Sequence, residues 1–389
     1  MLKKILIAIA GLVVCALLAA GVFYRMYMWL PAPQRVQDGL CGYPHFSCGR
    51  GLFSDGVWFG FVDETGAVAI PPKFAAVAPF SEDLAICWQS GKVGFIDLKG
   101  NWAVAPAYVM ARDFHEGFAP VNEGGKWEEI MSVVSGGKWG FIDKSGKQIV
   151  PPKYDYLGGF HEGLAAFENA GKHGYVNTTG EEIVPALYNY AGNFSDGLAA
   201  VKKGGSEFEH VGKHGYVNHD GKVVIPFDFD EAGEFVEGLA PVANNKKYGF
   251  IDKTGKIVIP LQYDRAFSFS EKLAMVGMNN PVKKDDYLEG YIDRTGALVI
   301  PMQFHFAGSF HEGLSFVRTS NNLPAVIDTT GNVVFTHNFE PAFSYNQGVA
   351  WVCESAPGKP FMMGYIDRTG RRLMFWPKRD NEYRGVLDR

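Results

Sequence analysis

Histidine and acid recur side by side along this chain, a pairing that invites metal or acid–base chemistry. His115-Glu116, His161-Glu162 and His311-Glu312 are three such pairs; Asp196, Glu237 and Glu271 repeat the acid alone, and His173 and His214 add two imidazoles. An imidazole can ligate a metal or carry a proton near neutral pH. Two carboxylates at the right separation can hydrolyse a glycosidic bond. The spacing argues otherwise: these residues fall at the same place in successive copies of a repeat, where other copies carry Ser, Val, Trp or Tyr. Acids that return in unit after unit read as turn-capping or ladder residues. No Gly-x-Ser-x-Gly, His-Glu-x-x-His or phosphate-cradling glycine loop is present. The expectation is a protein with no catalytic residues, no cofactor and no metal site.

The elements that hold these residues are nine related units. The clearest copies run Gly137-Lys-Trp-Gly-Phe-Ile-Asp143-Lys-Ser-Gly146 and Lys247-Tyr-Gly-Phe-Ile-Asp252-Lys-Thr-Gly255. A first glycine recurs from Gly60 to Gly364, with Ala325 standing in once; Asp or Asn follows three residues later and a second glycine three beyond that. Phe-Ile-Asp and the following Ile-Val-Ile-Pro are β-branched and aromatic runs, hence strands. Asp-x-x-Gly between them suits a tight turn, with glycine at the positive-φ position. Proline is expected to end the second strand. A second block, such as Phe160-His-Glu-Gly-Leu-Ala165, supplies a third strand after a connection of about ten residues. Each unit then reads as three antiparallel strands that bury their apolar face only by stacking on neighbours.

This motif resembles the bacterial WG-repeat (KWG-repeat) family, whose hallmark is Trp-Gly-Phe-Ile-Asp-x-x-Gly. Only Trp139-Gly140 carries the pair itself; Phe59, Val93, His173, His214, Tyr248, Glu289 and Met363 hold the tryptophan position elsewhere. The resemblance implies a binding or scaffold element and transfers no catalytic residue.

Spacings between successive first glycines alternate between 34 or 35 and 39 to 46 residues, so the true period is a doublet of 74 to 80. The extra residues are Lys126–Val134, Gly205–Val211, Val282–Leu288 and Glu354–Pro360, which places an extended tip on every second hairpin. Variable loops on a fixed scaffold are where binding concentrates. The candidate binding residues are Trp127, Glu128, Glu129, Phe208, His210, Lys283, Lys284, Asp286 and Tyr287, which mix aromatic and charged groups. The alternative is that the tips are solvated insertions, or that their aromatics fold back onto the sheet.

The expected fold is all-β: nine three-stranded units in an open, solenoid-like or spiral array over residues 56–376. Nine units exceed the usual four to eight blades of a closed propeller. Closure, the alternative, would need an N-terminal strand such as Gly51-Leu-Phe53 to complete the last blade. Residues 1–30 are a different material, in which Lys3 and Lys4 precede an uncharged run from Ile5 to Tyr24 long enough to span a bilayer as a helix. Phe23, Tyr24, Tyr27 and Trp29 cluster at its far end, where amphipathic rings favour headgroups. A signal anchor is expected, with a cleaved signal peptide as the alternative. It would be followed by a linker over 31–55 and, after the repeats, a tail over 377–389. Cys41 and Cys48, close together before the repeats, could form a disulfide in an oxidising compartment.

With 47% hydrophobic residues the chain has ample material for a core, and a net charge of −5 argues against a nucleic-acid partner. The reading is a non-enzymatic protein of the bacterial inner membrane, with one N-terminal span. Its repeats would lie in the periplasm or outside the cell as a protein-binding or scaffolding platform. A carbohydrate-binding or carbohydrate-processing protein, or a passive spacer, are the alternatives. The partner would be a protein or an envelope polysaccharide.

Overall fold

The computed structural model describes residues 46–55, 57–128, 133–205, 211–280, 287–337, 339–340, 344–354 and 362–377. The chain divides into residues 1–42 and 43–389, and every described residue lies in the second unit. Its sheets are built from two hairpins each. In one, Tyr156–His161, Leu164–Asn169, Lys172–Asn177 and Glu182–Tyr188 pair antiparallel in chain order. Eight such four-stranded sheets, and a first one described with three strands (Gly51–Ser54, Phe59–Val62 and Val68–Phe74), succeed each other along the chain. These are the nine blades of a β-propeller, numbered here in chain order.

The expected three strands per unit are therefore four. A single residue, such as Asp155, joins the outer strand of one blade to the inner strand of the next. The supposed long connection is the rest of the outer strand plus this short inner strand. Each sequence repeat thus straddles two blades: its Asp-x-x-Gly hairpin finishes one and its second block starts the next.

Proline does not end the outer strand, as Gln148–Tyr154 runs straight through Pro151 and Pro152. The strand lies at the sheet edge, where a missing N–H costs no ladder bond. It also bulges there, with register shifts opposite Trp139–Phe141 and Phe141–Ile142. The bulge presses backbone onto Gly140, where a Cβ would lie 2.7 Å from Pro152 N. That close approach is why the motif needs glycine. The exception fits the rule: Ala325 faces an outer strand, Val333–Thr336, that has no proline and one register shift instead of two.

At the hairpin turn Asp143 Oδ1 accepts from Ser145 N–H at 2.9 Å, the Ser145 hydroxyl at 2.6 Å and Lys147 N–H at 3.0 Å. The Ser145 hydroxyl, with these amides, holds the carboxyl below its usual range. Gly146, at φ +82°, packs against Val104 of the preceding blade.

The array is closed, and the open, solenoid-like expectation is overturned. At most seams an aromatic of the third strand meets one in or just after the next blade's inner strand: Phe61–Phe80 at 4.7 Å, Phe95–Phe114 at 4.8 Å, Phe141–Phe160 at 4.3 Å. The ninth blade meets the first in the same way, with Tyr365 and Phe46 at 6.1 Å. Around them Phe53, Val62, Trp351, Met363 and Trp376 form one core cluster, and the Tyr365 hydroxyl donates to Leu52 O at 2.9 Å. The predicted N-terminal strand does take part in closure, but differently. Gly51–Ser54 is the second strand of the first blade, while the ninth keeps four strands of its own.

A second set of bonds runs around the inner turns on one face. Glu116 accepts from Gly163 N–H, Glu162 from Gly197, Asp196 from Gly238, Glu271 from Gly313 and Glu312 from Gly348, each carboxylate reaching the next blade. Gln347 continues the series to Gly49 N–H at 2.8 Å across the closing seam. The recurring acids thus cap turns, but those of the neighbouring blade. Their charges are satisfied by backbone amides.

No helix among the described residues is long and apolar enough to cross a membrane. The predicted N-terminal transmembrane helix over residues 1–30 lies outside the described residues. So does Cys41, the expected partner of Cys48.

Candidate binding face

All connections between second and third strands emerge at one end of the blades, because every sheet has the same strand order. In the second, fourth and sixth blades they are two-residue turns, Ser90-Gly91, Ala170-Gly171 and Asn245-Lys246, with both residues at positive φ. Such turns match the twist of a tight hairpin. In the third, fifth, seventh and ninth blades they are the long tips that the spacing predicts. Trp127 and Glu128 lie on a short ribbon, Lys126–Glu128 paired with Val133–Ser135. Glu129, Phe208, His210, Lys283, Lys284 and Asp286 lie outside the described residues. Tyr287 opens the third strand of the seventh blade, its ring centroid 3.6 Å from the guanidinium of Arg265 on that blade's first strand.

Beneath the tips lies a feature the spacing did not reveal. The first residue of each inner strand, a residue of the second strand and the residue before the motif glycine are cross-strand neighbours. Examples are Tyr156–Glu168–His173, Tyr190–Lys202–His214 and Arg265–Gly277–Glu289. In the second blade this layer is apolar, Ala76–Trp88–Val93. From the third blade to the seventh it is polar and aromatic. Of six buried polar or charged side chains among the described residues, Ser54, Asn122, His173, Lys202 and Glu289 all belong to this layer. Burying such groups is costly unless they are paired, so their concentration in one stratum marks where the repeat departs from pure architecture.

The pairings are specific. Arg112 lies over Trp139 at 5.3 Å and over Tyr156, in the next blade, at 4.6 Å. Tyr190 sits between His173 and His214, at 6.5 and 6.2 Å. The Tyr248 hydroxyl donates to Glu231, and burial with that carboxylate pushes the phenol well up. Arg265 pairs with buried Glu289 at 3.2 Å, whose other oxygen accepts from Ala307 N–H of the next blade at 2.7 Å. Burial holds His173 at about 4, with Lys172 adding to the shift. Burial likewise holds His214 at about 4, against the opposing pull of the Asp230 carbonyl. Both imidazoles are neutral at pH 7.

What this arrangement offers is recognition: cation–π faces, oriented charges and neutral imidazoles under projecting loops. An apolar knob adds to it in the first blade, where Asp55 Oδ1 caps the amides of exposed Val57 and Trp58. Among the described residues, no group of three or more His, Cys, Asp or Glu is placed to hold a metal ion. The legible signal for this layer was the motif's tryptophan position, which changes from Trp139 to His173, His214, Tyr248 and Glu289.

Fold and repeat together define a repeat-built β-propeller. The profile of the family described as WG containing repeat matches residues 59–86, 94–127, 139–172, 174–206, 215–248, 248–280, 290–322 and 326–355, well over half of the sequence, and the chain belongs to that family. The ninth copy, around Gly364, falls beyond those eight matches. No curated protein matches the sequence. A structure described as the crystal structure of the eukaryotic initiation factor is similar with a TM-score of 0.59 at 13% identity, over 85% of this chain and 96% of that one. BamB from Moraxella catarrhalis gives a TM-score of 0.41 at 10% identity, over 75% and 94%. At these identities the first likeness is one of fold, and the second carries no argument.

Proposed function

We propose that this protein is a non-enzymatic binding platform that engages a protein partner through its tip-bearing face. On this reading residues 1–30 anchor it in a bacterial inner membrane with the propeller in the periplasm. The observation that carries the proposal is the contrast between the two faces. On one, the recurring acids and turn glycines are committed to latching blade to blade. On the other, long loops alternate with short turns above the layer where polar and aromatic residues replace the repeat's consensus. Support for the anchor is the apolar run from Ile5 to Tyr24 with its basic start.

The test is to replace the four tips with the Ala170-Gly171 turn of the fourth blade in the full chain. Crosslinking in intact cell envelopes then compares partner recovery. Recovery that disappears with the tips, while a Glu116→Gln variant on the opposite face keeps it, supports the reading. Equal recovery from both would discard it.

A further inference from the structure

The outer strand of each blade is a sheet edge, and an unprotected edge is a template for pairing with another chain. Seven blades protect theirs in two ways at once. Proline interrupts the row of donors in Val68–Phe74, Trp102–Tyr108, Gln148–Tyr154, Glu182–Tyr188, Val223–Phe229, Ile257–Tyr263 and Leu298–Phe304. A bulge twists each of these strands at the motif glycine, with two register shifts in every one.

The eighth blade has lost the proline and the bulge at the motif glycine, and keeps a single register shift, between Val326 and Ile327. Its outer strand Val333–Thr336 carries Thr336 where the neighbouring blade has Pro301, which restores a backbone donor. Ala325 replaces the motif glycine, and its Cβ fills the space a bulge would take, so Ala325 pairs with Thr336 and Val326 with Phe335 in plain register. The strand carries no charge, and Val333 and Val334 are 52% and 47% exposed. Among the described residues, no strand pairs with its outer side. The ninth blade also lacks an internal proline, but its edge opens with Arg372, which is paired to Glu354, and its next side chains are half buried.

We infer that the outer edge of the eighth blade is a site of β-strand addition, which takes an extended, uncharged, apolar-alternating segment of a partner protein as a fifth strand. An edge of free backbone groups specifies an extended backbone as its complement, and the absence of Lys, Arg, Asp and Glu along it selects an uncharged one. Leu298 and Val299 hold the same exposed positions on the seventh blade's outer strand. The site is separate from the tip-bearing face and stands or falls independently of it.

The test uses the full chain in detergent and, as probe, a synthetic peptide of alternating Thr and Val with terminal lysines. A second copy of the peptide is N-methylated on consecutive central amides, so that both of its edges lose donors. Fluorescence anisotropy should show binding to the wild type that weakens at least tenfold for the methylated peptide and for Val334→Lys. Val224→Lys, an equally exposed position on the proline-protected fifth blade, should bind as the wild type does. The double variant Ala325→Gly, Thr336→Pro, which rebuilds the edge of the other blades, should also lose binding. No binding by the wild type, or equal loss in Val224→Lys, overturns the inference. So does a self-association in sedimentation that depends on Val334, because the occupant would then be a second copy.

Discussion

Tyr365 of the ninth blade and Phe46 of the first stand edge to face, 6.1 Å between ring centroids, although 319 positions separate them in the chain (365 − 46). The pair repeats, at the closing seam, the aromatic contact made where blade follows blade in sequence. Among the described residues, closure therefore uses the same side-chain chemistry as stacking.

Cooperativity should follow from that contact. Tyr365→Ala removes a fully buried ring and its bond to Leu52 O, a loss of about 3–5 kcal/mol. Deleting residues 339–389 should abolish the folded state of the remaining blades, whereas an open stack would lose only one unit's share. Urea unfolding followed by near-ultraviolet circular dichroism distinguishes the two outcomes.

The motif glycines make a paired prediction. Gly140→Ala places a methyl against the backbone of Val150 and Pro152, and should destabilise by more than about 2 kcal/mol through forced backbone movement. Ala325→Gly opens space where the sheet has no bulge at the motif position and should cost about 1 kcal/mol. Denaturant midpoints of the two variants check the ranking.

Acid should weaken the fold in two stages. His173 has a folded pKa of about 4, below the unfolded 6.5, so the unfolded chain binds the proton first and stability falls as pH drops from 6.5 towards 4. At about 1.4 kcal/mol per unit, His173 alone accounts for up to roughly 3 kcal/mol. His173→Phe should flatten that slope. Asp367 acts lower down: burial pushes it up, but bonds from Thr369 and Arg371 prevail and hold it at about 2. Its stabilisation is present above pH 3.8 and fades as pH falls towards 2. Melting temperatures across pH 2–8 show both windows.

Glu289 ties two blades together. Glu289→Ala leaves Arg265 without its carboxylate and Ala307 N–H without its acceptor, a cost of about 3 kcal/mol. Glu289→Gln should recover part of it through the amide oxygen. Equilibrium unfolding of both variants measures the difference.

The hairpin around Asp143 and the all-β class were legible because each rests on local chemistry within ten residues, and the alternating tips because the motif glycines recur at alternating spacings. The inner strand was not. Tyr156–His161 contains Gly158-Gly159 and a pairing shift between Leu157 and Phe160, and Glu231–Ala232 is two residues long, so neither shows a strand's alternation. Closure was hidden for a different reason: it depends on curvature accumulated over every blade and on contacts such as Gln347 with Gly49. Of the candidate site, the position of the tips could be read, but not the buried stratum under them. Glu168, Lys202 and Glu289 look like surface residues until the register aligns them with Tyr156, Tyr190 and Arg265.

Nine is an odd number, and the tips come on every second blade. Walking around the ring, the alternation must fail once, and it fails where the first blade meets the second, neither of which carries a long tip. A strictly alternating crown would offer a visitor several equivalent poses. The single flaw gives this one a unique compass bearing, so an object seated on it can settle in one orientation only.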